Sequence, residues 1–281
     1  MKAAEILGVE KLRFIEPSYA ELTNAGFNEL LADLPADRTL LLIDGNDEPL
    51  ALAFHDAGSW TAGTFICRNP SVAAIEHFEE FNGEIYQEDR KIWVEAVREY
   101  YSNDIAANVT PAVDDLNKDR PAIIEDVITR TWGRGAGETC LDFCCGSGAG
   151  SVVLRRLGYT PLSCDNDPAL LSRGFAAGRL LPNETICIDA TRASEYTDPV
   201  PRAIGIMMGE INAHTQDLWQ QLVLQIFSLA DDVIITVGTE PEAENVRKWG
   251  EEAGRKVAVF EKPKDPIYDR WVCTSGDSRF G

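Results

Sequence analysis

The chain of 281 residues contains no run of 18 or more apolar side chains, the minimum for a helix that crosses a bilayer. Its opening stretch, MKAAEILGVEKL, carries acids inside what would have to be an apolar signal core. Neither a membrane span nor a secretory leader is expected. Histidine is scarce: His55, His77 and His214 show no ligand-pair spacing, so no metal site is expected. The seven cysteines, at 67, 140, 144, 145, 164, 187 and 273, form no CxxC pair, and their odd number fits poorly with a disulfide framework. A reducing cytoplasm is the expected location.

Basic residues are also few. Lys and Arg number 26 against 46 Asp and Glu, a net charge of −20. Such a surface repels phosphate backbones and anionic lipid, and no local basic patch interrupts it. Nucleic acid and membrane are therefore disfavoured as partners of this acidic protein. The first 118 residues hold −13 of the charge and the remaining 163 hold −7.

What is present is a βα alternation from about residue 137, the pattern of a parallel sheet. Strands are expected at 139–143, 160–164, 185–189, 203–208 and 232–237, with helices between them. Asp167-Pro168 marks one helix start, and Thr239 with Glu242 forms a capping box at another. The segments 256–261 and 268–274 are two further strands joined by the turn KPKDP, with no room for a helix. They predict an antiparallel hairpin closing one sheet edge. Residues 1–110 predict a smaller α+β accessory or substrate domain, with helices over 18–34, 71–81 and 84–101 and strands over 39–43, 50–54 and 61–67. Residues 111–136 form a linker and a leading helix, and 137–281 the main domain.

The chemistry-bearing stretch is Leu141-Asp142-Phe143-Cys144-Cys145-Gly146-Ser147-Gly148-Ala149-Gly150, where a strand turns into a helix. Glycines there let a ligand approach the backbone, and the helix start offers unpaired N–H groups. Asp165 ends the second strand, 23 residues after Asp142 and 17 after Gly148. At that place a carboxylate can accept from both hydroxyls of a ribose. Asp189 ends the third strand, so three adjacent strand ends each present an acid.

Asp142-x-x-x-Gly146-x-Gly148, Asp165-Asn166-Asp167-Pro168 and Ile188-Asp189-Ala190 resemble the first three motifs of class I S-adenosylmethionine-dependent methyltransferases. The resemblance covers about residues 120–281, terminal hairpin included. It implies an α/β, Rossmann-like sheet of order 3-2-1-4-5-7-6 with its last strand antiparallel, and S-adenosylmethionine as cofactor. By position it implies that Asp142, Cys144 and the loop Gly146, Ser147 and Gly148 hold the methionine end. Asp165 would hold the ribose, Asp189 and Ala190 the adenine, and Asn166 would flank the adenine face.

Cys144 departs from the family's usual first glycine. After the fourth strand the chain reads Met207-Met208-Gly209-Glu210-Ile211-Asn212-Ala213-His214, without the tetrapeptide of amino-group nucleobase methyltransferases or the Pro-Cys of the cytosine C5 enzymes. Glu210 and His214 are the candidate bases for removing the acceptor's proton, and a small molecule or a protein side chain is the expected acceptor. Two alternatives stay open at this point. One is a non-enzymatic protein of this fold acting through its acidic N-terminal domain as a partner-binding or homodimer module. The other is an NAD-dependent oxidoreductase, whose third fingerprint glycine would fall at Ser151.

Overall fold

The computed structural model describes residues 2–114, 116–262 and 268–276. They form two compact units, residues 1–104 and 105–281.

The first unit contains α1 (Ala3–Ile6), β1 (Leu12–Phe14), α2 (Gly26–Ala32), β2 (Arg38–Ile43), β3 (Pro49–Asp56), β4 (Ser59–Thr64), α3 (Val72–Glu80) and β5 (Glu84–Gln87), followed by α4 (Arg90–Asn108). Its five strands lie in the order β1-β4-β3-β2-β5. The β2–β3–β4 meander is antiparallel, while β1 and β5 run parallel to their single neighbours. Leu31, Leu52, Phe54, Phe65, Ala74 and Phe78 form an apolar cluster between sheet and helices. Trp93 is fully buried and its indole N–H donates to the Thr64 hydroxyl at 3.0 Å. Glu16, itself buried, pairs with Arg68, so the charge taken into this core is compensated.

Two expectations for this unit are corrected. The pattern over 84–101 is not one helix, because Glu84–Gln87 joins the sheet as β5 and α4 begins at Arg90. The helix expected over 18–34 is a 3₁₀ turn at Tyr19–Glu21 and then α2. In this acidic segment Asn24 accepts the Gly26 N–H at 3.0 Å through its side chain, a local turn that competes with continuous helix.

The second unit contains α5 (Arg120–Thr131), β6 (Thr139–Phe143), α6 (Ala149–Leu157), β7 (Thr160–Asp165), α7 (Pro168–Ala176), β8 (Thr185–Cys187), β9 (Val200–Gly205), α8 (Gln216–Leu229), β10 (Ala230–Val237), α9 (Glu240–Glu252), β11 (Val257–Glu261) and β12 (Trp271–Ser275). The sheet order is β11-β12-β10-β9-β6-β7-β8. Counted from β6, this is 3-2-1-4-5-7-6, and β12 is antiparallel to both neighbours. The order is that of the class I methyltransferase sheet. The KPKDP turn lies largely outside the described residues.

The core follows from the apolar stripes. Ile124, Val127 and Ile128 of α5 and Val153, Leu154 and Leu157 of α6 pack with Cys140, Ile204, Ile234 and Val272 of the sheet. Burial of each such aliphatic side chain contributes about 1.5–3 kcal/mol. Helix ends follow the expected local chemistry. Asp167 accepts the Ala169 and Leu170 N–H groups, Thr239 and Glu242 make the reciprocal capping box, and Gly158 closes α6 at φ 91°.

Strand four runs from Val200 to Gly205, three residues earlier at each end than expected. The chain leaves the ladder because Met207 takes a left-handed φ of 60°. Its N–H then turns to the Thr236 hydroxyl at 2.7 Å, and that of Met208 to the Thr236 carbonyl at 2.8 Å.

Candidate active site

The loop between β6 and α6 makes three left-handed turns, at Cys144 (φ 55°), Gly146 (φ 53°) and Gly148 (φ 86°). The glycines do different work. A Cβ added to Gly148 would meet the Leu180 side chain at 2.7 Å, and one added to Gly150 would meet the Asp142 carboxylate at 2.7 Å. A Cβ on Gly146 would meet nothing within 4 Å. Gly146 therefore presents bare backbone to open space, whereas Gly148 and Gly150 are glycine because protein packs against them. The N-cap residue of α6, Gly148, makes no side-chain cap; the Ser151 N–H in the first turn goes to the Asp142 carboxylate, which leaves those of Ala149 and Gly150 to an acceptor.

Asp142 is 1% exposed and lies beneath that first turn. Its carboxylate accepts the Ser151 hydroxyl at 2.5 Å, and Ser151 lies 2.7 Å from the Ser163 hydroxyl. Burial pushes the Asp142 carboxyl up to about 6. Its role here is to fix the loop from below.

Asp165, also buried, bridges two loops: one oxygen accepts the Gly146 N–H at 2.8 Å and the other the Asp167 N–H at 2.9 Å. Burial raises its carboxyl above the usual range despite these bonds. Asn166 beside it is exposed. Asp189 is exposed just past β8, where one oxygen accepts both the N–H (2.9 Å) and the hydroxyl (2.8 Å) of Thr191, and Ala190 is buried behind it. The register places Asp142 beside Ser163 of β7, and Cys164 and Asp165 beside Ile186 and Cys187 of β8. All three acids thus belong to the C-terminal edge of the sheet, where open α/β sheets bind ligands.

Burial drives the thiols of Cys144 and Cys145 well above the ordinary cysteine value. They remain protonated packing groups rather than nucleophiles. Among the described residues, no group of three or more His, Cys, Asp or Glu is placed to hold a metal ion.

Glu210 and His214 are both exposed on the segment after β9. Asp142 pairs with Ile204, so this segment leaves the sheet next to the glycine loop. It is anchored from behind: Glu242 accepts the Ile211 N–H at 2.9 Å, and the Glu210 carbonyl accepts the Thr215 hydroxyl (2.6 Å) and the Trp219 indole N–H (3.1 Å).

Three groups escaped the sequence reading. Arg179 donates to the Ser147 carbonyl at 2.8 Å and forks onto Asp114 at 3.1 Å, tying the loop down. Asp269, fully buried, accepts Arg120 Nε at 3.0 Å and the Thr236 hydroxyl at 2.6 Å. Arg120, at the start of α5, is the third; its charge acts on Asp142, and its Nη groups carry no hydrogen bond to a described residue. Nothing in the sequence joins Arg120 to Asp269, 149 positions away; only the Arg-Pro pair at a helix start hints at a placed side chain.

No protein-family model and no curated protein matches the chain. Among solved structures it is similar to magnesium protoporphyrin IX methyltransferase from Synechocystis with bound SAM, at 15% identity and a TM-score of 0.47 over 68% of this chain and 98% of that one. It is also similar to a TehB-like SAM-dependent methyltransferase from Corynebacterium glutamicum, at 15% identity and a TM-score of 0.43 over 65% and 97% of the two chains. A third is precorrin-6y C5,15-methyltransferase from Geobacter metallireducens, at 10% identity and a TM-score of 0.42 over 60% and 94%.

Proposed function

We propose that the chain is a class I S-adenosylmethionine-dependent methyltransferase acting on a small molecule or a protein side chain. The observation that carries this is the open backbone of Gly146, hydrogen-bonded to the Asp165 carboxylate at the C-terminal edge of a 3-2-1-4-5-7-6 sheet. A carboxylate offers about four acceptor positions, and Asp165 spends part of them on the backbone N–H groups of Gly146, Asn166 and Asp167, which leaves room for a ribose hydroxyl. Asp189 commits one oxygen to Thr191 and keeps the other for the adenine amino group, with Ala190 and Asn166 alongside. Gly146, Ser147 and the first N–H groups of α6 border the methionine end. The Nη groups of Arg120, which carry no hydrogen bond to a described residue, suit its carboxylate.

When bound, this cofactor supplies an electrophilic methyl group on a sulfonium. The protein's tasks are to align the acceptor and to receive its proton. Glu210 and His214 are the side chains free to do the second. The carboxylates of Asp165 and Asp189 at the crevice also favour a cationic cofactor. An NAD reading is disfavoured on two grounds. The edge strand pair is antiparallel, and the third fingerprint position is Ser151, whose hydroxyl is locked onto Asp142.

Calorimetry with S-adenosylhomocysteine tests the proposal. Asp165→Ala is expected to weaken binding by on the order of 1.5–3 kcal/mol, the scale of bonds to a charged group, and Asp189→Ala by less. Affinity unchanged in Asp165→Ala would contradict the assignment.

A further inference from the structure

β5 is one of the two edge strands of the first sheet, paired among the described residues only with β2. All four of its residues are exposed, including Ile85 at 60% and Tyr86 at 36%, and Phe81 just before it is 37% exposed. The strand has no lysine, proline or bulge, the usual guards of a free edge. The Glu88 N–H donates inward to the Ile43 carbonyl. Because backbone groups alternate in direction along a strand, those of the even residues face β2 and those of Gly83, Ile85 and Gln87 face outward.

The outward set is self-complementary. In an antiparallel pair about a two-fold axis normal to the sheet, opposed residues share a face, so the axis must pass through a residue position rather than between two. With the axis at Ile85, each Ile85 exchanges both backbone bonds with the partner's Ile85, and Gly83 meets the partner's Gln87. On the other face Glu84 lies opposite the partner's Tyr86, a pair whose chemistry already operates within one strand, where the Tyr86 hydroxyl donates to Glu84 at 2.9 Å. Asp89 falls opposite the partner's Phe81 and Glu88 opposite the partner's Asn82, so no two acids are opposed. Moving the axis to Tyr86 would set Glu84 against the partner's Glu88, a destabilising like-charge pair.

We propose that β5 is a homodimerisation edge, on which a second copy of this chain pairs antiparallel about Ile85 to make a continuous ten-stranded sheet. The acidic N-terminal segment, at −13 over residues 1–118, opposes this pairing at low ionic strength, so the dimer strengthens as salt screens the charge. This inference is independent of the methyltransferase reading.

Sedimentation of the full chain tests it. A mass rising toward twice the monomer with concentration, and more strongly at high salt, is expected. Ile85→Lys should abolish the doubling while leaving unchanged the unfolding temperature read at a concentration where the wild type is monomeric. Directly opposed residues in a hydrogen-bonded pair have Cα atoms about 5.5 Å apart, within disulfide reach. Ile85→Cys should therefore cross-link on mild oxidation beyond the wild-type background. Gln87→Cys should not, because the two copies of that position lie ~14 Å apart along the strands. A chain that stays monomeric at high salt and sub-millimolar concentration overturns the proposal. So does a dimer that survives Ile85→Lys, or equal cross-linking at positions 85 and 87.

Discussion

Asp142 is the residue at which loop geometry and pH dependence meet. Its folded-state pKa, raised by burial to about 6 from 3.8, means the folded state favours its protonated form. Its stabilising contribution is full below about pH 3.8 and is lost as pH rises through about 6. At about 1.36 kcal/mol per unit the loss reaches roughly 3 kcal/mol. Asp142→Asn keeps an acceptor for Ser151 without the buried charge. The unfolding temperature of the variant relative to wild type should therefore rise between pH 4 and pH 8. A difference independent of pH would mean that the carboxyl titrates normally. Arg120 gives a second prediction. Asp269 is fully buried, so Arg120→Met strands its charge and should cost about 3 kcal/mol or more of stability. Replacing Asp269 by Asn in the same chain should restore part of that loss, as read by denaturant unfolding.

Among the elements, the glycine loop separates packing from binding. Gly148→Ala forces a Cβ against Leu180 at a φ of 86° and should lower stability by 1 kcal/mol or more, on the scale of a strained left-handed residue. Gly146→Ala meets no protein atom, so beyond the cost of its own left-handed φ the methyl group should act mainly on S-adenosylhomocysteine affinity. Calorimetry and thermal unfolding of the two variants should give opposite rankings; the same ranking for both would contradict the open-face assignment.

The sheet of the second unit was legible because its strands are short apolar runs and two of its helices carry clear start signals, at Asp167-Pro168 and Thr239-Glu240-Pro241-Glu242. β5 was not legible, because Glu-Ile-Tyr-Gln is exposed at every position and offers no in-out alternation to read. β1, at three residues, is too short to show a period. At the candidate site, the spacing of Asp142, Gly146, Gly148, Asp165 and Asp189 predicts that they share one sheet edge, and the register brings them together there. The spacing could not reveal that Asp142 turns inward to Ser151 or that Arg120 reaches Asp269, since those are facts of packing between distant segments.

At the scale of the whole molecule, the net charge of −20 makes the surface self-repelling, which is why the pairing proposed at β5 is expected to strengthen with salt. The cofactor claim is tested most directly by unfolding the wild-type chain with S-adenosylhomocysteine and, separately, with NAD, each at saturating concentration. A ligand at about a hundred times its Kd adds roughly 2.7 kcal/mol to the state that binds it, on the order of 5 °C for a domain of this size. A rise of that order with S-adenosylhomocysteine and none with NAD is the predicted result. No rise with S-adenosylhomocysteine, or an equal one with NAD, would contradict the account.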